Sequence, residues 1–416
     1  MTRTFARGAC PGLSTPMQTG DGLLVRFLPA EPIPLRVLAR LCAAARAHGN
    51  GTMEISARGS VQIRGLTADS APLLADTISA LGIDIADGVP VLADPLLDDP
   101  TALIDAHALA GELRKALAAP RLTLAPKVSV IVDGGGRLPL DALAADIRVR
   151  AVATANGPLL YLAVAGDAAT AQPLGAVAPN ETCDAVLQLL TVISSHGPEA
   201  RAADVLRSEG IAALRAAIRS RIALEPPPPL RLSTAMVGAH CLKDNLYALG
   251  VALAFGQVEA PTLGALTEIA RTQGALWARP APDRALLLGP FKRTTIKTMR
   301  DEARRLGFAV DASDPRRRIA ACPGAPHCMH GLIAARVLAA EIAQEVELPA
   351  GDGIVLHVSG CAKGCAHPAR APLTVIGTEQ GCGIVRDGTA RAAPSEFVPP
   401  NRLVPALTGK REPVHA

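Results

Sequence analysis

The feature that most restricts how this chain can fold is a layout repeated on either side of a proline run. Residues 226–229 are four consecutive prolines. They can neither continue a helix nor pair in a central strand, so they read as a stiff connector dividing the chain roughly in half. Before the connector, FLPAEPIPLRVLARLCAAARAHGNG from Phe27 places Leu35, Leu38, Leu41, Cys42 and Ala45 on one face of an amphipathic helix, with Gly49 as its stop. After it, FGQVEAPTLGALTEIARTQGA from Phe255 follows the same plan: Phe, a short turn with Glu and Pro, a helix of similar length, then Gly and an Arg-containing extended segment. Identity between the copies is weak, but the order of parts is shared, which implies an internal repeat of β-α-β kind.

The extended segment of the first copy carries a second pattern. Over residues 53–64 the odd positions are Met53, Ile55, Ala57, Gly59, Val61 and Ile63, and the even ones Glu54, Ser56, Arg58, Ser60, Gln62 and Arg64. Read as one strand, it buries the odd face and presents Arg58, Gln62 and Arg64 on the other. That polar face is either solvated or an anion-binding platform, since guanidinium groups grip carboxylates in bidentate fashion. In the second copy, LWARPAPDRALLLGPF loses the alternation to Pro280 and Pro282, so the platform role is expected on the first copy. Further along, TLAPKVSVIVDGGGRLPL reads as a strand with a glycine-rich turn at residues 134–136, and LLYLAVAG as its hairpin or adjacent partner. No GK[ST] and no helix start follow those glycines, so they do not read as a phosphate loop.

The chain has nine cysteines, and four of them fall in two pairs, Cys322 with Cys328 in CPGAPHC and Cys361 with Cys365 in SGCAKGCAHP. No apolar run is long enough to span a bilayer and no secretory h-region follows the N-terminal arginines, so the expected compartment is the cytoplasm, where disulfides are disfavoured. The run CMHGLIAARVLAAEIAQEV from Cys328 has a helical period, and GIVLHV before Cys361 reads as a buried strand. Thiols paired at both ends of one strand-and-helix unit suit a metal centre. Zinc knuckles use spacings of two to four residues, whereas a [4Fe-4S] cube spreads its corner irons and accepts the wider spacings found here. Cys42, Cys183, Cys241 and Cys382 lack such company and read as inert thiols; Cys10, in a second ACPG, has no cysteine partner nearby. His327, His330 and His367 flank the paired cysteines and read as their hydrogen-bonding neighbours. With a net charge of +4 and 2% aromatic residues, nothing points to nucleic acid, while an anionic small molecule remains compatible.

The paired cysteines, the twofold repeat and EISARGSVQIRG together resemble the nitrite and sulfite reductase family over nearly the whole chain. RGACPGLSTPMQTGDGLLVRF and the short length are similar to the branch that works on precorrin-3A in aerobic cobalamin biosynthesis rather than to the longer assimilatory reductases. The resemblance implies an α+β fold with two ferredoxin-like half-domains and two α/β cluster-type domains about a pseudo-twofold axis. The implied divisions are 1–70 and 226–300 for the half-domains, 71–225 for the first α/β domain and 301–416 for the cluster-binding one. It also implies that Cys322, Cys328, Cys361 and Cys365 hold a [4Fe-4S] cluster and that Arg26, Arg58 and Lys127 surround an anion-binding face. The reductase pattern has a second lysine two residues after the first; here that position is Ser129, which removes a cation that reduction of a small oxyanion would use.

The activity the resemblance implies is hydroxylation of an anionic tetrapyrrole by O2, with a ring acetate closing to a lactone and a mononuclear non-haem iron beside the cluster. Arg26, Arg58, Gln62, Arg64 and Lys127 are the candidate substrate-binding residues. No dinucleotide fingerprint is visible, so NADH is expected to act through a separate electron donor. A sirohaem-dependent sulfite or nitrite reductase, and a non-catalytic electron carrier or tetrapyrrole-binding module, remain as alternatives.

Overall fold

A computed structural model describes residues 11–85, 88–118, 122–232, 234–349 and 353–408; Cys10 lies outside them. The described residues form four five-stranded sheets, in two pairs that repeat each other.

The first pair is antiparallel. One sheet runs in the order Met17–Thr19, Gly22–Phe27, Val61–Leu66, Thr52–Ile55, Gln257–Glu259. The other runs Gly238–Cys241, Tyr247–Ala252, Ala285–Phe291, Trp277–Ala281, Ile33–Pro34. Each half of the chain therefore lends its edge strand to the sheet of the other: Ile33 pairs with Ala278, and Val258 with Met53. A helix leaves each exchanged strand at once, Leu35–His48 and Ala260–Thr272. Leu38, Leu41 and Cys42 of the first helix share one apolar core with Leu263, Leu266 and Ala270 of the second. The expected face of Leu35, Leu38, Leu41, Cys42 and Ala45 is buried as the spacing predicts.

Residues 53–64 are not one strand. Thr52–Ile55 and Val61–Leu66 form a hairpin whose turn is closed by Ser56 N–H to the Ser60 carbonyl (2.9 Å) and Gly59 N–H to the Ser56 carbonyl (2.9 Å). The register pairs Met53 with Ile63 and Glu54 with Gln62. Odd residues thus stay opposite odd ones, and the alternation passes through the turn without a break. The only local sign of the turn is Gly59, which sits at φ +85° with the backbone of Ala281 packed against it.

In the second pair, each sheet has three parallel strands followed by two antiparallel ones. The first half supplies Val91–Ala93, Val130–Asp133, Ala145–Thr154, Gly157–Gly166 and Gln172–Val177. The second half supplies Ile319–Ala321, Leu356–Ser359, Ala371–Thr378, Gly381–Gly388 and Glu396–Val398. The expected pairing of Val130–Asp133 with Gly157–Gly166 is corrected here: Ala145–Thr154, with its buried Ile147 and Val149, lies between them. The connector is tied down by Arg231, whose guanidinium bridges Asp133 and Asp141 (both 2.5 Å), and by Arg150 on the Pro229 carbonyl (2.8 Å). Among the described residues no helix is long and apolar enough to cross a membrane.

Candidate active site

The first antiparallel sheet has an apolar face, with Met53, Ile55, Val61 and Ile63 on the helices, and a polar one. Arg26, Gln62, Glu54 and Gln257 are successive cross-strand partners, so they form a row across four strands of that polar face. Arg26 donates to Gln62 Oε1 (3.2 Å). Gln62 and Glu54 are only 7% and 8% exposed, which is unusual for the polar face of an antiparallel sheet and means that something covers it.

One cysteine loop packs against the turn between the first two strands of this sheet. Met329 N–H donates to the Gly20 carbonyl (2.9 Å), and Gly20 lies against the Cys328 side chain so closely that a Cβ there would overlap the sulfur. Cys322 follows the strand Ile319–Ala321, and Cys361 and Cys365 follow Leu356–Ser359, so parallel neighbours deliver the pairs to the same end of the sheet. The two loops are stitched together by Leu332 N–H to the Gly360 carbonyl (2.8 Å). The helix expected to begin near Cys328 begins at Ala335 instead, because the Met329 and Leu332 N–H groups bond to Gly20 and Gly360 rather than along a helix.

The thiols are set up for a bound positive centre. Cys322 Sγ accepts N–H groups from Gly360 (3.0 Å) and Gly324. Burial pushes the Cys322 and Cys365 thiols up, and the neighbouring cysteines push them further, so a bound metal charge would favour their thiolate forms. Among the described residues, no three His, Cys, Asp or Glu side chains gather tightly enough for one ion. Four thiols around a shared space, with amide donors on the innermost, fit a cluster that offers each a separate corner. Close packing supports the same fit: a Cβ at Gly324, itself at φ +63°, would come within 2.5 Å of the Ala335 nitrogen and 2.6 Å of the Ile333 oxygen.

The remaining candidates divide into two groups. Arg64 stands beside the polar row, bidentate on Asp21 (2.8 and 2.7 Å) and 3.4 Å from Glu54, with its charge felt by Cys365. Arg58 stands at the hairpin tip, donating to the Ala144 carbonyl (2.8 Å) and to Ser129 Oγ (3.3 Å), with the Arg201–Asp146 pair nearby. Lys127 is exposed on the turn leading to Ser129. His367 Nε2 lies 3.3 Å from the Arg370 carbonyl.

Sequence reasoning missed Asp21, Glu54, Gln257, Arg336 and His357. Asp21 and Glu54 hold Arg64, and Gln257 comes from the other half of the chain. His357 is fully buried, has no partner among the described residues at either ring nitrogen and faces the His367 ring at 5.8 Å; burial, with His367 beside it, brings it down to about 4. No spacing marks these residues, since sheet order and burial bring them in.

The first half contains a counterpart of the cysteine site without thiols. Asp94 follows Val91–Ala93 as Cys322 follows Ile319–Ala321, and Gly134 N–H donates to its carboxylate (3.0 and 3.1 Å) as Gly360 does to Cys322. Asp99 takes Arg137 N–H (2.5 Å), and Asp133 takes the N–H groups of Gly135 (2.9 Å) and Leu140 (3.0 Å). Carboxylates of the chain thereby occupy this glycine loop, in keeping with the absence of a phosphate-loop motif.

Residues 16–81 match the model of the nitrite/sulfite reductase ferredoxin-like half domain. The fold is similar to that of the Mycobacterium tuberculosis NirA protein, with a TM-score of 0.70 and 20% identity over 95% of this chain and 82% of that one. A sulfite reductase [ferredoxin] of M. tuberculosis is 26% identical over 51% of this chain and 42% of its own length. A precorrin-3B synthase from Sinorhizobium sp is 38% identical over 408 residues, 97% of this chain and 88% of that protein. At that identity and coverage, the chain belongs to the precorrin-3B synthase family.

Proposed function

We propose that the chain carries out the precorrin-3B synthase reaction in the cytoplasm: O2-dependent hydroxylation of precorrin-3A, with a ring acetate closing to a lactone. One oxygen atom enters the ring and the other leaves as water, at the cost of two electrons that reach the protein from a separate NADH-dependent donor. Cys322, Cys328, Cys361 and Cys365 would hold a [4Fe-4S] cluster, which when bound supplies electrons one at a time. The O2 chemistry also calls for a mononuclear non-haem iron, to which no residues are assigned. The divisions at residues 1–70, 71–225, 226–300 and 301–416 are part of the same reading.

The observation that carries the proposal is a buried polar row on the sheet whose edge turn the Cys328 loop contacts and whose Arg64 is felt by Cys365. A tetrapyrrole rich in carboxylates needs fixed cations at its rim, and Arg26, Arg58, Gln62, Arg64 and Lys127 would supply them and a hydrogen-bonding amide. Arg64 acts as a rigid charge because Asp21 grips both its Nε and Nη2. Arg58 is braced by Ala144 and Ser129 and would lend its remaining donors to a carboxylate. Ser129 stands where the reductase pattern has its second lysine, so proton delivery to a small oxyanion is poorly served, which favours the tetrapyrrole reaction over sulfite or nitrite reduction.

Anaerobic purification with iron, sulfide and haem assays, followed by O2 uptake on adding precorrin-3A and a reductant, tests the reading. A brown protein with about four sulfides per chain, no haem and O2 uptake matched to product supports it. Strong sirohaem bands with sulfite reduction would replace it by the reductase reading, and precorrin-3A binding without O2 uptake by a carrier.

A further inference from the structure

Arg336 is the second residue of the helix Ala335–Glu345, and its first residue packs on the Cys322 loop at Gly324. Its guanidinium is coupled electrostatically both to the first sheet, through Glu54 and Glu259, and to the loop, through Cys322. Nε and Nη2 are both buried, and neither has a hydrogen-bond partner among the described residues. Donors of a buried guanidinium are costly to leave unmade, so this arginine is built for an acceptor that protein atoms do not provide. Four charges surround it: Glu54 and Glu259 attract it from the sheet, Arg64 repels it, and Cys322 attracts it from the loop. Arg64 is already committed to Asp21 and Glu54, which leaves Arg336 as a cation whose buried donors are available on the thiolate side.

We propose that Arg336 is a tuning residue for the metal centre held by the paired cysteines, its guanidinium offsetting the negative charge at the Cys322 corner and raising the reduction potential. This rests on the cluster reading above. Adding an electron to an anionic centre in a poorly screened site is opposed by its own charge, and a fixed neighbouring cation offsets that opposition. Glu259 works against it. Its carboxylate draws Arg336 toward the sheet, so neutralising it frees the guanidinium for the cluster.

The test is a potentiometric titration of the anaerobically purified protein, followed by EPR of the reduced cluster, on wild type, Arg336→Gln, Arg336→Lys and Glu259→Gln. Arg336→Gln is expected to disfavour reduction about tenfold, a fall of about 59 mV for one electron, while Arg336→Lys retains most of the wild-type value. Glu259→Gln should move the potential upward, a sign that loss of packing would not produce. Arg336→Gln with full iron and sulfide and an unshifted potential overturns the proposal. So does an equal shift in Gln and Lys variants, or weakened tetrapyrrole binding with no change in potential, which would assign Arg336 to the substrate instead. If Arg336→Gln fails to hold iron, an unmoved potential in Glu259→Gln decides against the proposal. Wild-type protein lacking iron and sulfide would remove the cluster reading itself, a result distinct from all of these.

Discussion

Replacing Gly324 by alanine is the sharpest single test of the cysteine-loop geometry. Gly324 sits at φ +63°, where an L-residue with a Cβ costs about 1–2 kcal/mol. Its new Cβ would lie 2.5 Å from the Ala335 nitrogen and 2.6 Å from the Ile333 oxygen, both backbone atoms that cannot rotate away. Ile333 O already accepts from Ala325 N–H (2.8 Å), and Gly324 O from Cys328 N–H (2.8 Å), so relief requires the loop carrying both cysteines to move. Overpacking of this kind adds about 1–3 kcal/mol. The sum, about 2–5 kcal/mol, corresponds to a loss of roughly 30-fold or more in the equilibrium for cluster assembly. Gly82→Ala is the matched control, because Gly82 has φ +65° and nothing within 4 Å of its Cβ position, so it carries the backbone cost without the clash. Reconstitution with limiting iron and sulfide, read by visible absorbance with far-UV circular dichroism as the check on folding, should show full loading of Gly82→Ala and poor loading of Gly324→Ala. Equal loading of the two variants would refute the argument that close packing at Gly324 fixes the ligand loop.

Cys361→Ser should remove iron, sulfide and turnover together while the fold persists, measured by metal assay and circular dichroism. Arg58→Ala should keep its cluster and bind precorrin-3A about 10- to 100-fold more weakly by equilibrium titration, since a hydrogen bond to a charged group contributes about 1.5–3 kcal/mol; unchanged binding would take Arg58 out of the substrate face. Asp21→Asn should destabilise the chain by about 3 kcal/mol at pH 7 in urea unfolding, because it leaves the buried Arg64 with only Glu54. Burial pushes the Asp21 carboxyl up, but the Arg64 hydrogen bonds and charge pull it lower still. The stabilisation by this pair is therefore present above the usual carboxylate range and lost as pH falls through the lowered value, so variant and wild type should converge in acid.

How far the sequence could be read depended on whether the signal was local. The helices after Phe27 and Phe255 were legible because their apolar spacing is a property of each segment. Cys322, Cys328, Cys361 and Cys365 were legible as pairs, and parallel pairing of Ile319–Ala321 with Leu356–Ser359 brings the pairs together. The hairpin at residues 56–60 was hidden by a register that preserves parity, and the start of the last long helix by loop bonds that only the folded chain makes. The bracing of Arg64 was not legible because its acceptors are distant in sequence, Asp21 by 43 residues. The buried polar row of the first sheet was invisible for the same reason, as Gln257 belongs to the other copy.

The traded edge strands make the two halves interdependent in a way that the connector at residues 226–229 does not. Each antiparallel sheet lacks a strand unless the opposite half is present, and Leu41 and Leu266 belong to one core. The arrangement is that of a strand-swapped dimer within one polypeptide. Cleavage within the prolines should leave the pieces associated, whereas either piece made separately would expose an unpaired edge and half a core, and so aggregate. A single polypeptide guarantees this pairing at any concentration, and the two copies differ at the matching place: one has thiols around its glycine loop, and the other fills it with Asp94 and Asp99.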